Sequence, residues 1–378
     1  MHVVVLGGGY AGLSLTRGLE RRLPEGVELT LVDETGDHLL QHELHRVVRR
    51  PTLVGDVRVP LEAATDRAHV RVDTVETIDA HAGHVELSGG AVSYDVGAIC
   101  VGGTTAVETV PGVRRHGLPL KRLDHAHEIH ERALEVFAEG GRIVVAGAGL
   151  SGVQVAGELA ALASERDARD VEVLLFERER RVAPRFSRAF SDAVRDELAA
   201  AGVAVRTRRR ITAVDESTVS LAERDDVAHD LLVWTGGIRG ADALDGERPT
   251  VRSDLRLTDR TVALGDAARV IDDHGQLVDP SAQAAVRAAR TAATNVDRLV
   301  RHRLNPGEAG FEPRLERFTF ESRGWIVSVG DRAVAQAGPT VLRGRAAAAV
   351  KTTVDAGYLT SIGAVRDAMS TVGEAVSG

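Results

Sequence analysis

The chain is almost bare of two residue types. Its 378 residues hold one cysteine, Cys100, and of its 47 basic residues only Lys121 and Lys351 are lysines. One cysteine cannot form an intrachain disulfide, a CxxC or CxxxxC redox pair, or a thiolate metal cluster. Chemistry that relays electrons through paired thiols is therefore excluded. Cys100 lies in the apolar run Ala98-Ile99-Cys100-Val101, which marks it as a small core hydrophobe rather than a reactive thiol. The shortage of lysine reads as a bias of genome composition or of a salty interior, not as the sign of a site. Aromatic residues make up 3% of the chain, the net charge is −8, and no basic stripe interleaves with aromatics, which argues against nucleic-acid binding. No apolar run approaches the ~18 residues that cross a bilayer, and no signal peptide opens the chain, so cytoplasmic residence is expected.

Glycine, by contrast, is placed with regularity. Gly7-x-Gly9-x-x-Gly12 follows a short apolar run, residues 2–6, and precedes a helical pattern through Ala11, Leu13, Leu15 and Leu19. Glycines here let the backbone turn sharply and approach a pyrophosphate, whose charge is met by free N–H groups and the helix dipole. The next apolar run ends in Asp33, 21 residues after Gly12. That matches the ~20-residue offset of an acid that holds a ribose hydroxyl. Glu34 is an adjacent substitute. Gly147-x-Gly149-x-x-Gly152 repeats the arrangement: residues 142–146 before it, a helix through Val153, Val155, Leu159 and Leu162 after it, then a strand closed by Glu177. An acid there favours the free 2′-hydroxyl of NAD and repels the 2′-phosphate of NADP. Arg178, Arg180 and Arg181 nearby keep NADPH open.

Punctuation recurs beyond the two turns. Tyr94-Asp95 leads through an apolar strand to Gly102-Gly103, and His229-Asp230 leads likewise to Gly236-Gly237, which suggests a duplicated architecture. A third element, Gly265-Asp266-Ala267, ends a strand with a carboxylate able to accept hydrogen bonds from a sugar-like chain. Two dinucleotide sites in one chain imply a reaction between two bound cofactors, as in a flavoprotein that oxidises a nicotinamide. Metal chemistry is not expected. The run from Asp124 to Glu131 lacks the HExxH spacing, and His127 with Glu131 reads as a solvated helix surface. His38, His42 and His45 follow the first nucleotide acid, where a loop often passes the flavin ring, and a surface or packing role is expected for them. The arginines from Arg206 to Arg210 read as a solvated strand end.

In this order the motifs resemble the type II NADH dehydrogenases, single-subunit flavoproteins that pass electrons from NADH through FAD to a quinone without pumping protons. The resemblance runs through Leu6 to Leu13, Gly102 to Thr105, Gly147 to Glu158, Trp234 to Gly237, Gly265 to Ala267, Pro280 to Ala284, and a terminal pattern from Phe318 to Tyr358-Leu359. It implies that Gly7, Gly9, Gly12 and Asp33 hold the FAD adenosine and pyrophosphate, with Gly265-Asp266 at the ribityl chain. It implies that Gly147, Gly149, Gly152, Glu177 and Gly236 hold NADH. Ala282 and Gln283 would line the flavin ring where quinone docks. Two positions depart from the family: Gln154 stands where a glutamate is usual, and Arg287 where a second glutamine is frequent. Both fall on the electron-accepting side. Glu158 is not expected to supply protons.

The fold expected is α/β, with two Rossmann-like dinucleotide-binding domains and a small C-terminal α+β module. Residues 1–110 and 250–310 form the FAD domain, an NADH domain is inserted at 111–249, and the module spans 311–378. Near the end, Tyr358, Ile362, Val365, Met369, Val372 and Val376 make one helical stripe. Its polar face offers only Arg366 against Asp367 and Glu374, so docking on the protein's own body or on a dimer partner is expected, with peripheral contact at the cytoplasmic membrane face as the alternative. The acceptor alternatives are a ferredoxin-like protein or dioxygen. A flavin redox sensor without turnover is the reading from a different class.

Overall fold

The structure, a computed structural model, describes residues 1–222, 224–305 and 312–362. The apolar runs form two parallel sheets of the same plan. The first has the order Thr261–Ala263, Val96–Ile99, His2–Leu6, Glu28–Asp33, His69–Val72. The second has the order Leu118–Pro119, Leu231–Trp234, Gly141–Ala146, Val171–Glu177, Ala204–Thr207. In both, the strand that enters a glycine turn is central. The strand leading to Gly102-Gly103 or Gly236-Gly237 lies on one side of it, and the strand ending in Asp33 or Glu177 on the other. Val5 stands opposite Leu31 and Ala98, as Val145 stands opposite Leu175 and Val233. Parallel strands are covered on both faces, which is why they read as unbroken apolar runs: Val3 to Leu6 and Ile143 to Val145 are fully buried.

Each unit also carries a three-stranded antiparallel meander at the same point in its order, Val75–Asp79 to Gly90–Ser93 in the first and Ile211–Val214 to Val227–Ala228 in the second. The glycine punctuation thus reports a duplicated architecture. The second unit is inserted in the first, because the edge strand Thr261–Ala263 follows the whole of it. The two chain passages between the units pair as the antiparallel strands Gly103–Thr105 and Ile238–Gly240, so both crossings are made by one ribbon.

The remaining elements seat a third module on this pair. The helix Ala282–Leu304 lies along the helix Tyr10–Glu20, and Gly18 permits the approach, since a Cβ there would stand 2.9 Å from Ala293 Cβ. Strands Trp325–Val329, Arg332–Ala337 and Thr340–Arg343 form an antiparallel sheet, followed by the helix Gly344–Ser361. This sheet rests on the helix Leu150–Glu165 at Gly157, where a Cβ would come within 2.8 Å of Val329 Cα and Gly330 N. Of the expected terminal stripe, Ile362 is 2% exposed and Tyr358 is partly buried, so both pack onto the protein's own body; Val365, Met369, Val372 and Val376 lie outside the described residues. No described helix is long and apolar enough to cross a membrane. Backbone-to-backbone approach at Gly157 leads to a first expectation. Gly157→Ala lowers stability by about 1–3 kcal/mol through overpacking, read as a fall in the thermal midpoint. An unchanged midpoint would show that the module is not held there.

Candidate active site

The two glycine turns are built alike, down to the hydrogen bond that closes each. Gly7 and Gly147 both have φ of 98°, a region closed to most side chains. A Cβ on Gly12 would overlap the Gly7 carbonyl oxygen, and one on Gly152 the Gly147 carbonyl oxygen. Beside Gly9 and Gly149 there is open space, with no atom within 4 Å of a Cβ. The helices that start at Tyr10 and Leu150 have no side-chain cap, so their first N–H groups are left to an anion. Asp33 Oδ2 accepts the Gly8 N–H at 2.8 Å, and Glu177 Oε2 accepts the Ala148 N–H at 2.8 Å. The two acids expected at riboses therefore first hold the middle residue of their own turn. Glu177 keeps a lone pair on each oxygen, and Asp33 one on Oδ2, since its Oδ1 already accepts from Thr35 and Gly36. Glu34 lines the same cleft but is engaged in a two-pronged pair with Arg122 at 3.1 Å on each prong.

Both turns open on one cleft of about 2000 Å³, lined by Gly7, Gly9, Asp33, Gly147, Gly149 and Glu177 together. A single small-molecule site occupies roughly 300–1,000 Å³, so the space suits two dinucleotides. Asp266 also lines the cleft; its Oδ2 is 3.5 Å from Lys121 Nζ, while Arg248 donates to the Asp266 and Ala268 carbonyl oxygens at 2.7 Å each and fixes the Gly265-Asp266 bend. Gly236 accepts the Trp234 indole N–H at 3.0 Å. The Thr235 hydroxyl, 2.9 Å from both the Ala146 and Gly147 carbonyl oxygens, pins the second turn to its sheet.

Ala282 and Gln283 open the helix Ala282–Leu304, whose first turn is capped by Ser281 Oγ accepting the Ala284 N–H at 3.1 Å. Both line the cleft. The Gln283 amide is engaged, however. Its Nε2 donates to the Gly324 carbonyl at 3.3 Å and its Oε1 accepts the Arg323 N–H at 2.9 Å. Arg287, one turn on, donates to the Glu321 carbonyl. The departure at this position is thus a second clasp on the 321–324 loop. Gln154 also lines the cleft, with Nε2 3.4 Å from His45 Nε2 and 3.5 Å from Ser328 Oγ.

The histidines after Asp33 take the packing role, one of the two expected for them: His38 and His45 are 0% and 3% exposed, and His42 and His45 line the cleft. His38 Nδ1 is 3.0 Å from the Gly8 carbonyl, which only accepts, so Nδ1 carries the proton and Nε2 accepts the Tyr358 hydroxyl at 2.9 Å. Burial keeps this ring neutral, its pKa lowered to about 4, and that of His45 to about 3. The segment 38–49 in fact ties the C-terminal module to the cleft, through His38 to Tyr358, Glu43 to Lys351, His45 to Ser328 at 3.1 Å, and Arg49 to Asp331 at 2.7 Å. The two lysines need a correction, since they stand at the cleft where no site was expected. Both point into the cleft wall, Lys121 at Asp266 and Lys351 at Glu43. Burial works against the Glu43 carboxylate, yet Lys351 and the neighbouring cations hold it below the usual range. A compact ammonium fits a single carboxylate where a guanidinium would need room for its fork. Cys100 is buried against the first turn, and burial pushes its thiol up. Among the described residues, no three His, Cys, Asp or Glu side chains gather as a metal site.

Glu158, one turn below Gln154, is 4% exposed and stands 4.0 Å from His45 Nε2 and 3.6 Å from Arg49 Nη1. Burial outweighs the two arginines that face it, Arg49 and Arg46, and raises its carboxyl from 4.5 to about 7. Ionising it therefore destabilises the folded state progressively as pH rises through that window. Replacing it with the neutral Glu158→Gln is expected to help more at pH 8 than at pH 5, by a difference on the order of 3 kcal/mol in urea unfolding. Equal gains at both pH values would show that the carboxyl titrates normally.

Fold and cleft together define a protein of the two-dinucleotide-binding flavoprotein fold, one nucleotide unit inserted in another. The chain belongs to the pyridine nucleotide-disulphide oxidoreductase family, whose profile matches residues 1–291. It is similar to the type II NADH:quinone oxidoreductase of Staphylococcus aureus, 25% identical over 396 residues covering 96% of each chain. It is also similar to the NADH dehydrogenase-like protein YutJ of Bacillus subtilis, 29% identical over 240 residues, 63% of this chain and 65% of that one. Among solved structures, NDH2 from Plasmodium falciparum in complex with NADH superposes with a TM-score of 0.81 at 14% identity, covering 98% of this chain and 97% of that one. The resemblance drawn from the motif order is borne out by these relatives. With one cysteine, the chain has no dithiol to match the family's name.

Proposed function

We propose that the protein is an NADH:quinone oxidoreductase that holds FAD at its first glycine turn and NADH at its second. The observation that carries this reading is the shared cleft, onto which both turns open with their helix N-termini uncapped. The relatives named for the same activity support it. The residues fit the groups: the turns offer donors and side-chain-free space where pyrophosphates approach, and Asp33 and Glu177 retain acceptors for ribose hydroxyls. Bound there, a flavin supplies acceptance of hydride from NADH and onward transfer of electrons to the quinone.

The chain's own part is positioning. Asp266 accepts from the ribityl hydroxyls, and Lys121 orients its carboxylate. Gln283 and Arg287 hold the 321–324 loop so that Ala282 and Gln283 form one wall of the acceptor pocket. Leu342, Val350 and Val354 line the mouth while 40%, 39% and 55% exposed, an apolar surround for a quinone arriving from a membrane. Such a surround supports a peripheral position at the cytoplasmic face of a membrane.

Anaerobic stopped-flow tests the assignment. NADH is expected to bleach the flavin, and menadione to restore its colour; bleaching without reoxidation assigns a different acceptor, and no bleaching sinks the reading. The turns separate by mutation. Gly12→Ala is expected to abolish flavin retention, whereas Gly152→Ala keeps the yellow colour and slows bleaching by at least tenfold. Equal loss of colour in both would contradict the division of labour.

A further inference from the structure

The strand that ends in Glu177 presents its charges unevenly. Glu177 is 7% exposed, and both its oxygens face inward: Oε2 accepts the Ala148 N–H at 2.8 Å and Oε1 the Glu179 N–H at 2.9 Å. Two backbone dipoles thus already meet its charge. The next residue points the other way. Arg178 has 73% of its side chain exposed, and its nearest carboxylate is Glu179 at 3.6 Å, itself 55% exposed.

A second stretch of backbone brings more cations to the same rim. The Arg208 N–H donates to the Glu179 carbonyl and the Arg209 N–H to the Glu177 carbonyl, both at 2.9 Å. Arg208 takes φ of 55°, a left-handed turn at the end of the strand Ala204–Thr207. Arg209 and Arg210 leave that turn and line the cleft beside Glu177 and Arg178. Neither is paired with a carboxylate among the described residues. The strand end is solvated as expected, with Arg206, Arg208 and Arg210 exposed, and Arg209 and Arg210 also form part of the cleft wall. Three guanidiniums face one exposed carboxylate there.

In a dinucleotide unit of this plan, the acid at the strand end marks where the adenosine ribose lies, and a neighbouring arginine accommodates a 2′-phosphate. Guanidiniums take a phosphate in two-pronged geometry that a hydroxyl cannot use. We propose that Arg178, Arg209 and Arg210 form a 2′-phosphate subsite and that the protein accepts NADPH as well as NADH. Glu177, turned inward on its own glycine turn, remains an acceptor for a ribose hydroxyl and does not confront the phosphate. The inference rests on the reading that the second turn holds a reduced nicotinamide dinucleotide.

Calorimetric titration of the flavin-loaded protein with 2′,5′-ADP and with 5′-AMP tests the subsite without turnover. The expected result is binding of 2′,5′-ADP at least tenfold tighter than that of 5′-AMP, weakened at least tenfold in the Arg178→Ala/Arg209→Ala double variant and partly retained in Arg178→Lys. In stopped-flow, the double variant should lower the NADPH:NADH ratio of kcat/KM at least tenfold. Equal affinity for the two nucleotides, or an unchanged ratio, overturns the subsite. If NADH bleaches the flavin and NADPH does not, the subsite falls while the oxidoreductase reading stands; if neither nucleotide bleaches it and 2′,5′-ADP does not bind, both fall.

Discussion

The arrangement depends on one short contact made twice: a carboxylate at the end of the second strand of a unit, accepting the N–H of the middle residue of the glycine turn. Asp33 holds Gly8 and Glu177 holds Ala148 at the same distance. That bond ties the turn to the neighbouring strand, and the turn in turn sets where the uncapped helix N-terminus points. An anion placed there meets several backbone donors at once in a partly dehydrated setting, where such interactions are worth most. Each turn is fixed within its own unit by the same bond, and the packing of one unit inside the other brings both onto the same cleft.

The third module would be a loose appendage without the segment 38–49. Its polar side chains reach four points of the C-terminal hairpin and helix, and His38 also touches the carbonyl of Gly8. The contact is buried, so each group there must find a partner. Neutral histidines satisfy that demand at low cost, since burial leaves them uncharged while their two nitrogens still donate and accept. Glu43 and Lys351 satisfy it by pairing. The first turn and the terminal helix are thereby joined through one imidazole.

Much of this was legible in the residues themselves. The two fingerprints, the offsets of Asp33 and Glu177, and the closing glycine pairs predict two duplicated units, because glycine spacing and apolar runs act over a dozen neighbours and need no distant partner. The same local logic marks Cys100 as core. What stayed hidden were the side chains whose roles lie across hundreds of positions. His45 and Ser328, Glu43 and Lys351, and Gln283 and Gly324 have nothing in their local patterns to announce each other. The arginines after Thr207 read as solvated because a run of like charge usually is.

The sequence alone thus determined the class of chemistry: glycine turns for two dinucleotides, with no paired thiols. Its reason is stereochemical, since only glycine tolerates those backbone angles and close approaches. Tertiary packing decided the rest. Folding one unit inside the other turned two separate turns toward a common space. It also brought both lysines and two of the four arginines between 206 and 210 to the wall of the cleft. A charge acts through the distances that packing sets, and those distances are not written in the order of residues.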